Sequence, residues 1–253
     1  MRFALAFATL IAPVVLAAAP AQAWTLTWLG HAGWLVESRG GTRLLIDPWL
    51  ANPRYPRGLA LPPRLDGVLV SHGHSDHAES APALSERHKA PLVGCYELVA
   101  ALAPESSPPG IGANIGGSVK IGDVAVHLTS AAHSSALVQE GALPRYTGAP
   151  VGFVLVAPGE RTLYHAGDTG LTREMETIRE LYAPAIALLP IGGHYTMDPG
   201  QAAVAARWLG VREVVPMHHG TFPLLTGKPA ALRAALPKAV RMTDPVPGAP
   251  FKL

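Results

Sequence analysis

The segment Ser71-His72-Gly73-His74-Ser75-Asp76-His77 sets three imidazoles and a carboxylate close together, directly after the apolar run Asp66-Gly67-Val68-Leu69-Val70. Such a set is costly inside a core and serves nothing as a solvated face. At the end of a strand it can turn all four side chains toward one place. His72 and His74 stand two residues apart, so extended backbone projects them to the same side. Asp76 and His77 follow the turn and can serve a second point nearby, while Gly73 and Ser75 add little bulk. Imidazole nitrogen and carboxylate oxygen are the donors expected for zinc and similar divalent ions. The bland alternative is a surface histidine cluster; the strand before it and further donors downstream argue against that.

Four donors cannot complete two sites. His133 closes the run DVAVHLTSAA that begins at Asp123, Asp168 lies in Tyr164-His165-Ala166-Gly167-Asp168-Thr169-Gly170, and His218 lies in Pro216-Met217-His218-His219-Gly220-Thr221. Each falls where a strand gives way to a loop, the place where α/β scaffolds gather functional groups. Taken singly each is an ordinary polar residue; as a set they complete an inventory for two metals. His31, between two early strands, is either a substrate contact or a structural hydrogen-bonding histidine. His194 and Tyr195 follow Gly192-Gly193, where glycine allows close backbone approach. Tyr195 is a substrate candidate, and His194 could donate a proton to a leaving group or merely pack. His165 reads as a residue behind the site, and Asp47, at a strand end, as a carboxylate able to fix a ligand imidazole. His127 and His88 read as structural, and Cys95 as a small buried hydrophobe.

Positioning these residues requires strands. Runs of four to eight β-favouring residues recur at WTLTWL from Trp24, GWLVES from Gly33, TRLLID from Thr42, DGVLVSH from Asp66, DVAVHLTSAA from Asp123, VGFVLVA from Val151, RTLYHAGD from Arg161, AIALLPI from Ala185 and REVVPMH from Arg212. Helical spacing fills the intervals: Ala78–Lys89, Tyr96–Ala103, Thr172–Tyr182 with Thr172 as N-cap, and Pro229–Leu236. Asp198-Pro199 opens another helix running to Leu209 and stopped by Gly210. The order predicts layered sheets with helices on their outer faces. Asn52–Arg64 and Ser134–Pro150 read as loops. Each carries an Arg-Tyr pair, Arg54-Tyr55 and Arg145-Tyr146, and is either a solvated surface or, with Arg145, a substrate-facing loop.

The whole chain has 253 residues, with 20 Lys and Arg, 18 Asp and Glu, 11 His and one Cys. One cysteine makes neither an internal disulfide nor a thiolate metal cage, and a formal charge of +2 gives no reason to expect nucleic acid. The N-terminus, MRFALAFATLIAPVVLAAAPAQA, has a positive start at Arg2, an apolar stretch, and Ala21-Gln22-Ala23 as a small-residue cleavage motif. It reads as a secretory signal peptide over residues 1–23, with the apolar stretch short and interrupted by Pro13 for a membrane anchor. Residues 24–253 then form a single exported domain, periplasmic or secreted, with no stable membrane insertion. Nothing in the sequence sets an oligomeric state.

These motifs resemble a known superfamily. His72-Gly73-His74-Ser75-Asp76-His77 looks like the H-x-H-x-D-H signature of the metallo-β-lactamase fold, and His133, Asp168 and His218 follow in that superfamily's order. The phrases YHAGDTGL, LLPIGGHYTMDP and PMHHGTFPLL are similar to those of bacterial metal-dependent hydrolases of the L-ascorbate-6-phosphate lactonase type. The resemblance implies an α/β, four-layer αββα sandwich. It implies His72, His74 and His133 on one divalent ion, Asp76, His77 and His218 on a second, and Asp168 between them. The ions would lie about 3.5–4 Å apart with a nucleophilic water or hydroxide between them, and Asp76 would also orient that water. Zinc suits five histidines and two aspartates, as do manganese, iron, cobalt and nickel. The expected activity is hydrolysis of an ester, lactone or similar bond in a small molecule. A phosphodiesterase or β-lactamase on the same site, a non-catalytic metal-binding protein and a di-iron redox protein are the alternatives. Di-iron relatives put a carboxylate where His74 stands, and the leader departs from a cytosolic sugar-phosphate enzyme.

Overall fold

The computed structural model describes residues 24–103 and 108–253; the expected leader over residues 1–23 lies outside them. The first half contains β1 (Thr25–Trp28), β2 (Trp34–Glu37), β3 (Arg43–Ile46), β4 (Gly67–Leu69), α1 (Ser75–Ala78), α2 (Ala81–His88), β5 (Leu92–Cys95), α3 (Tyr96–Leu102) and β6 (Ile111–Ala113). The second contains β7 (Ser118–Ile121), β8 (Val124–Ser130), β9 (Ala136–Leu137), β10 (Arg145–Tyr146), β11 (Val151–Val156), β12 (Leu163–His165), α4 (Glu174–Tyr182), β13 (Ile186–Pro190), α5 (Pro199–Leu209), β14 (Glu213–Met217), α6 (Pro229–Ala235), β15 (Arg241–Met242) and β16 (Phe251–Lys252).

These strands make two seven-stranded mixed sheets, ordered β16-β1-β2-β3-β4-β5-β6 and β15-β14-β13-β12-β11-β8-β7. In each, a block of antiparallel strands changes to a block of parallel ones, at β3 in the first sheet and at β12 in the second. The alternation of side chains along a strand divides the core. Leu44 and Ile46 of β3 and Val215 and Met217 of β14 meet between the sheets, with Trp28, Trp34, Leu128 and Phe153. Leu45 faces the other way, toward Leu84 of α2 and Leu98 of α3. Val214 and Leu189 face Met175 of α4 and Ala202 and Leu209 of α5. The result is helix, sheet, sheet, helix, the four-layer αββα arrangement expected from the sequence.

Two local expectations are corrected. Helix α4 begins at Glu174 with Arg173 at its N-cap, and the Thr172 hydroxyl only accepts a long bond from the Glu174 amide (3.4 Å). Ser134–Pro150 is not wholly irregular, since β9 and β10 pair antiparallel within it as a hairpin. Helix α5 has the expected ends: Asp198 and Gln201 form a reciprocal capping box, and Gly210 stops the helix in the left-handed region. Among the described residues, no helix is long and apolar enough to cross a membrane.

Candidate metal centre

The seven expected donors converge where both sheets present strand ends. The loop after β4 delivers His72 and His74, and the short α1 that follows carries Asp76 and His77 on its first turn. His72 Nε2 and His74 Nδ1 stand 2.9 Å apart, and with a His133 nitrogen they form a donor group spanning less than 4.8 Å. A second group joins Asp76, His77, His218 and His31. Asp168, from the loop after β12, lies between the two groups: its Oδ2 is 3.0 Å from His218 Nε2 and 3.6 Å from His133 Nε2, and its Oδ1 is 3.4 Å from His77 Nε2.

These approaches are close but misaligned for hydrogen bonds. The Nε2 atoms of His77 and His218 and the Oδ1 atom of Asp168 are buried without a hydrogen-bond partner. Stranded polar atoms of this kind cost about 1–3 kcal/mol each, and three of them facing one another is the arrangement a cation resolves. Burial alone would raise the Asp168 carboxyl; the imidazoles of His218 and His77 outweigh it and hold the group well below its ordinary value. The centre thus offers an ionised carboxylate and imidazole nitrogens, the hard and borderline donors suited to a divalent ion.

A family model described as a β-lactamase superfamily domain matches residues 42–219. A UPF0173 metal-dependent hydrolase of Myxococcus xanthus is 48% identical over 229 residues, covering 88% of this chain and 81% of that protein. The chain belongs to the UPF0173 metal-dependent hydrolases, within the metallo-β-lactamase superfamily. A family relative from Anaeromyxobacter sp. strain K is 43% identical over 233 residues, covering 89% of this chain and 85% of its own. The structure of Igni18, a metallo hydrolase from Ignicoccus hospitalis, superposes with a TM-score of 0.78 at 36% identity, covering 91% of this chain and 98% of that one.

In this hydrolase the imidazoles are aimed by partners behind them. Asp47, fully buried at the end of β3, accepts three hydrogen bonds: from the Ser71 amide (2.7 Å), the Ser71 hydroxyl (2.7 Å) and His77 Nδ1 (3.0 Å). Ser71 gives its proton to Asp47, so its oxygen accepts from His72 Nδ1 at 3.0 Å. Both bonds place the ring proton on Nδ1 and leave Nε2 of His72 and His77 free to face the centre. His165 Nε2 donates to the Ala32 carbonyl, and its Nδ1 accepts the Gly167 amide, which fixes the loop carrying Asp168. Gly167 could hold no side chain here: a Cβ would fall 2.6 Å from the Val151 carbonyl oxygen, and its φ is +60°.

Of the two readings of His31, substrate contact and structural hydrogen-bonding histidine, the structure fits the second, because the ring is completely buried. Its Nδ1 lies 2.6 Å from the Thr221 hydroxyl and its Nε2 donates to Asp76 Oδ2 at 3.1 Å. Burial, followed by the charge of His218, lowers it to about 4, so it is a neutral donor to Asp76. Burial would raise the Asp76 carboxyl, yet this hydrogen bond and the neighbouring His77 hold it below its ordinary value. His219 packs its ring on Trp28, with centroids 5.4 Å apart, and belongs to neither donor group.

The centre opens into a cavity of about 830 Å³. His74, Asp76, His133, Asp168 and His218 line it with Ser75 and Ser134 beside them, together with Trp49, Val138, Tyr195, Phe222, Pro223 and Leu224. Tyr195 therefore stands in the wall. Arg145 and His194, expected at the substrate and the leaving group, do not: Arg145 is exposed on β10, and His194 is exposed with its ring edge-on to Tyr195. The short loop geometry accounts for this, since His194 sits in the left-handed region at φ +57°. Sequence reasoning missed Trp49, Phe222 and Leu224 as wall residues. The one signal for them was a cluster of large apolar residues in non-periodic segments beside ligand motifs.

Proposed function

We propose that this hydrolase is exported and uses two divalent ions, most simply zinc, to open a carboxylic ester or lactone in a small molecule. The observation that carries the reading is Asp168, whose two oxygens face His77 on one side and His218 and His133 on the other without hydrogen-bond alignment. His72, His74 and His133 would hold one ion, Asp76, His77 and His218 the other, and Asp168 both. When bound, the ions lower the pKa of a shared water toward ~7 and polarise the scissile carbonyl. Asp76 lines the cavity, ionised and steadied by His31, where it would orient such a water. Asp47 keeps two imidazoles in the ligating tautomer.

The likeness of YHAGDTGL and LLPIGGHYTMDP to lactonase-type hydrolases supports ring opening, and Ala21-Gln22-Ala23 supports export after Ala23. The test is a panel of esters, lactones, phosphodiesters and lactams assayed with defined metals, alongside elemental analysis of protein taken from its native compartment. Two zinc ions per chain, and hydrolysis of the carboxylic substrates abolished in Asp168→Ala, are expected. Fully metal-loaded protein that is inert on every panel would make it a metal-binding protein instead.

A further inference from the structure

The walls of the cavity say what lies beyond the scissile bond. No lysine or arginine is among its lining residues. Arg54 and Lys228 line another cavity, of about 600 Å³. Away from the metal donors, the wall is made of Trp49, Phe222, Pro223, Leu224, Val138 and Tyr195, with the hydroxyls of Ser75 and Ser134 beside the donors. A phosphate or carboxylate remote from the reacting carbonyl would lose water there and gain no cationic partner, which is costly. An alkyl chain would find contact area.

This wall is also built rather than incidental. Phe222 stacks on Trp49 with centroids 5.5 Å apart at an angle of 22°. Both rings stand edge-on to the buried His31, at 5.3 and 5.5 Å. Thr221, one residue before Phe222, is tied to His31 Nδ1. The platform is thereby rigidly referenced to the centre, since the same His31 holds Asp76. In the same wall, the hairpin carrying Val138 is anchored at its base: the Ser135 hydroxyl accepts from the Gly73 amide at 3.1 Å and meets the Thr147 hydroxyl at 2.8 Å. Val138 and Leu224 are nevertheless 64% and 51% exposed, which leaves apolar area uncovered at the mouth of the cavity.

We propose that the substrate is a neutral carboxylic ester or lactone bearing an alkyl or acyl chain, with the carbonyl at the metal centre and the chain lying against the cavity wall formed by the Trp49–Phe222 platform, Leu224 and Val138. This rests on the hydrolytic reading above and narrows its substrate. In the reaction, water oxygen bonds to the carbonyl carbon and the carbon–oxygen bond to the alkoxy group breaks. The alkoxide takes one proton from the water, giving an alcohol and a carboxylic acid, joined in one hydroxy acid when the substrate is a lactone.

The test uses the metal-loaded protein with a homologous series of neutral lactones whose side chain grows one methylene at a time, plus a member ending in phosphate. Specificity, kcat/KM, is expected to rise about three- to fourfold per methylene until the platform is covered. It should fall sharply for the phosphate-terminated member, and the long-to-short ratio should collapse in Leu224→Glu and Val138→Glu. A flat series, or preference for the phosphate-terminated or a phosphodiester substrate, would overturn the proposal. Calorimetric binding of the matching non-hydrolysable alkyl amides reads the wall without turnover. If these bind with the same chain-length dependence and nothing is hydrolysed, the hydrolytic reading fails and the wall stands; if they bind without it, the wall fails.

Discussion

Replacing Asp47 by Asn isolates what the carboxylate behind the centre contributes. The side chain is isosteric, and asparagine tolerates the left-handed backbone found at Asp47, φ +45°. What changes is acceptor capacity. Asp47 Oδ1 receives the Ser71 amide, and Oδ2 receives both the Ser71 hydroxyl and His77 Nδ1. Either amide orientation in the variant turns an NH₂ toward at least one donor. The milder one sacrifices the bond to the Ser71 amide and makes the other two neutral. Bonds to a charged acceptor contribute about 1.5–3 kcal/mol against about 0.5–1.5 for neutral ones, so each survivor weakens by about 1 kcal/mol. The weakened partners are His77 directly and His72 through Ser71. Removing such an outer partner typically lowers metal affinity about 10- to 100-fold, or about 1.4–2.7 kcal/mol. Asp47→Asn should therefore weaken both ions, whereas Ser71→Ala should weaken mainly the one held by His72, His74 and His133. Competition against a chelator of known affinity, with metal content counted per chain, measures both. Folded Asp47→Asn protein with unchanged affinity at both sites would refute the reasoning, as would a Ser71→Ala variant that weakens both equally.

Chelating the metal should lower Tm, because ions that bind only the folded chain stabilise it by about 2.7 kcal/mol at a hundredfold excess over Kd; a fall of about 5–10 °C by calorimetry is expected. His31→Asn should lower kcat about 10- to 100-fold while KM stays within about twofold, since the ring steadies Asp76 and touches no substrate; a change confined to KM would contradict this. Asp123 accepts hydrogen bonds from the hydroxyls of Ser38 and Thr42, and although burial opposes it, these bonds lower its carboxyl below the ordinary value. The stabilisation is therefore present above the unfolded-state value and lost as pH falls through the folded one. Asp123→Asn should cost about 1 kcal/mol at pH 7, given the solvent screening of a side chain this exposed. The gap to the parent chain in urea midpoints should narrow as pH falls below the ordinary carboxylate range; a gap independent of pH would remove the carboxylate from the account.

The ligand motifs were legible because each follows a plainly apolar run, and four of the donors fall within six positions. Val124–Ser130 and Glu213–Met217 are runs whose β character is plain, and each hands a histidine to the loop beyond it. The strands β9, β10, β15 and β16 have two residues each, too few for any period to show. Loop residues were left open for a different reason. His31, Arg145 and His194 each carried two readings, because the direction of a loop side chain is fixed by tertiary contacts absent from local sequence. Thr221 lies 190 positions from His31 and yet decides where that ring points. The cavity wall escaped notice likewise, because Trp49 and Phe222 become partners only after the two sheets have packed.

The backbone beneath the centre shows how two sheets hold one site. His31, Asp47 and His218 all adopt the left-handed region, at φ +51°, +45° and +53°. Such conformations cost non-glycine residues about 1–3 kcal/mol and persist only where surroundings over-determine them. Here the restraint is visible. The Asp47 amide donates to Leu69 of β4 at 2.9 Å, inside the first sheet. The His218 amide, at the end of β14 in the second sheet, donates to the His31 carbonyl at 2.9 Å. That same carbonyl accepts the Trp28 indole at 2.9 Å, and Trp28 lies in the core between the sheets. One carbonyl oxygen thus joins the β1–β2 turn, the end of β14 and the inter-sheet core. His218 is consequently placed relative to Asp76 and His77 by a backbone bond across the sandwich. The strain at three strand ends is the cost of turning those side chains inward rather than along the sheet.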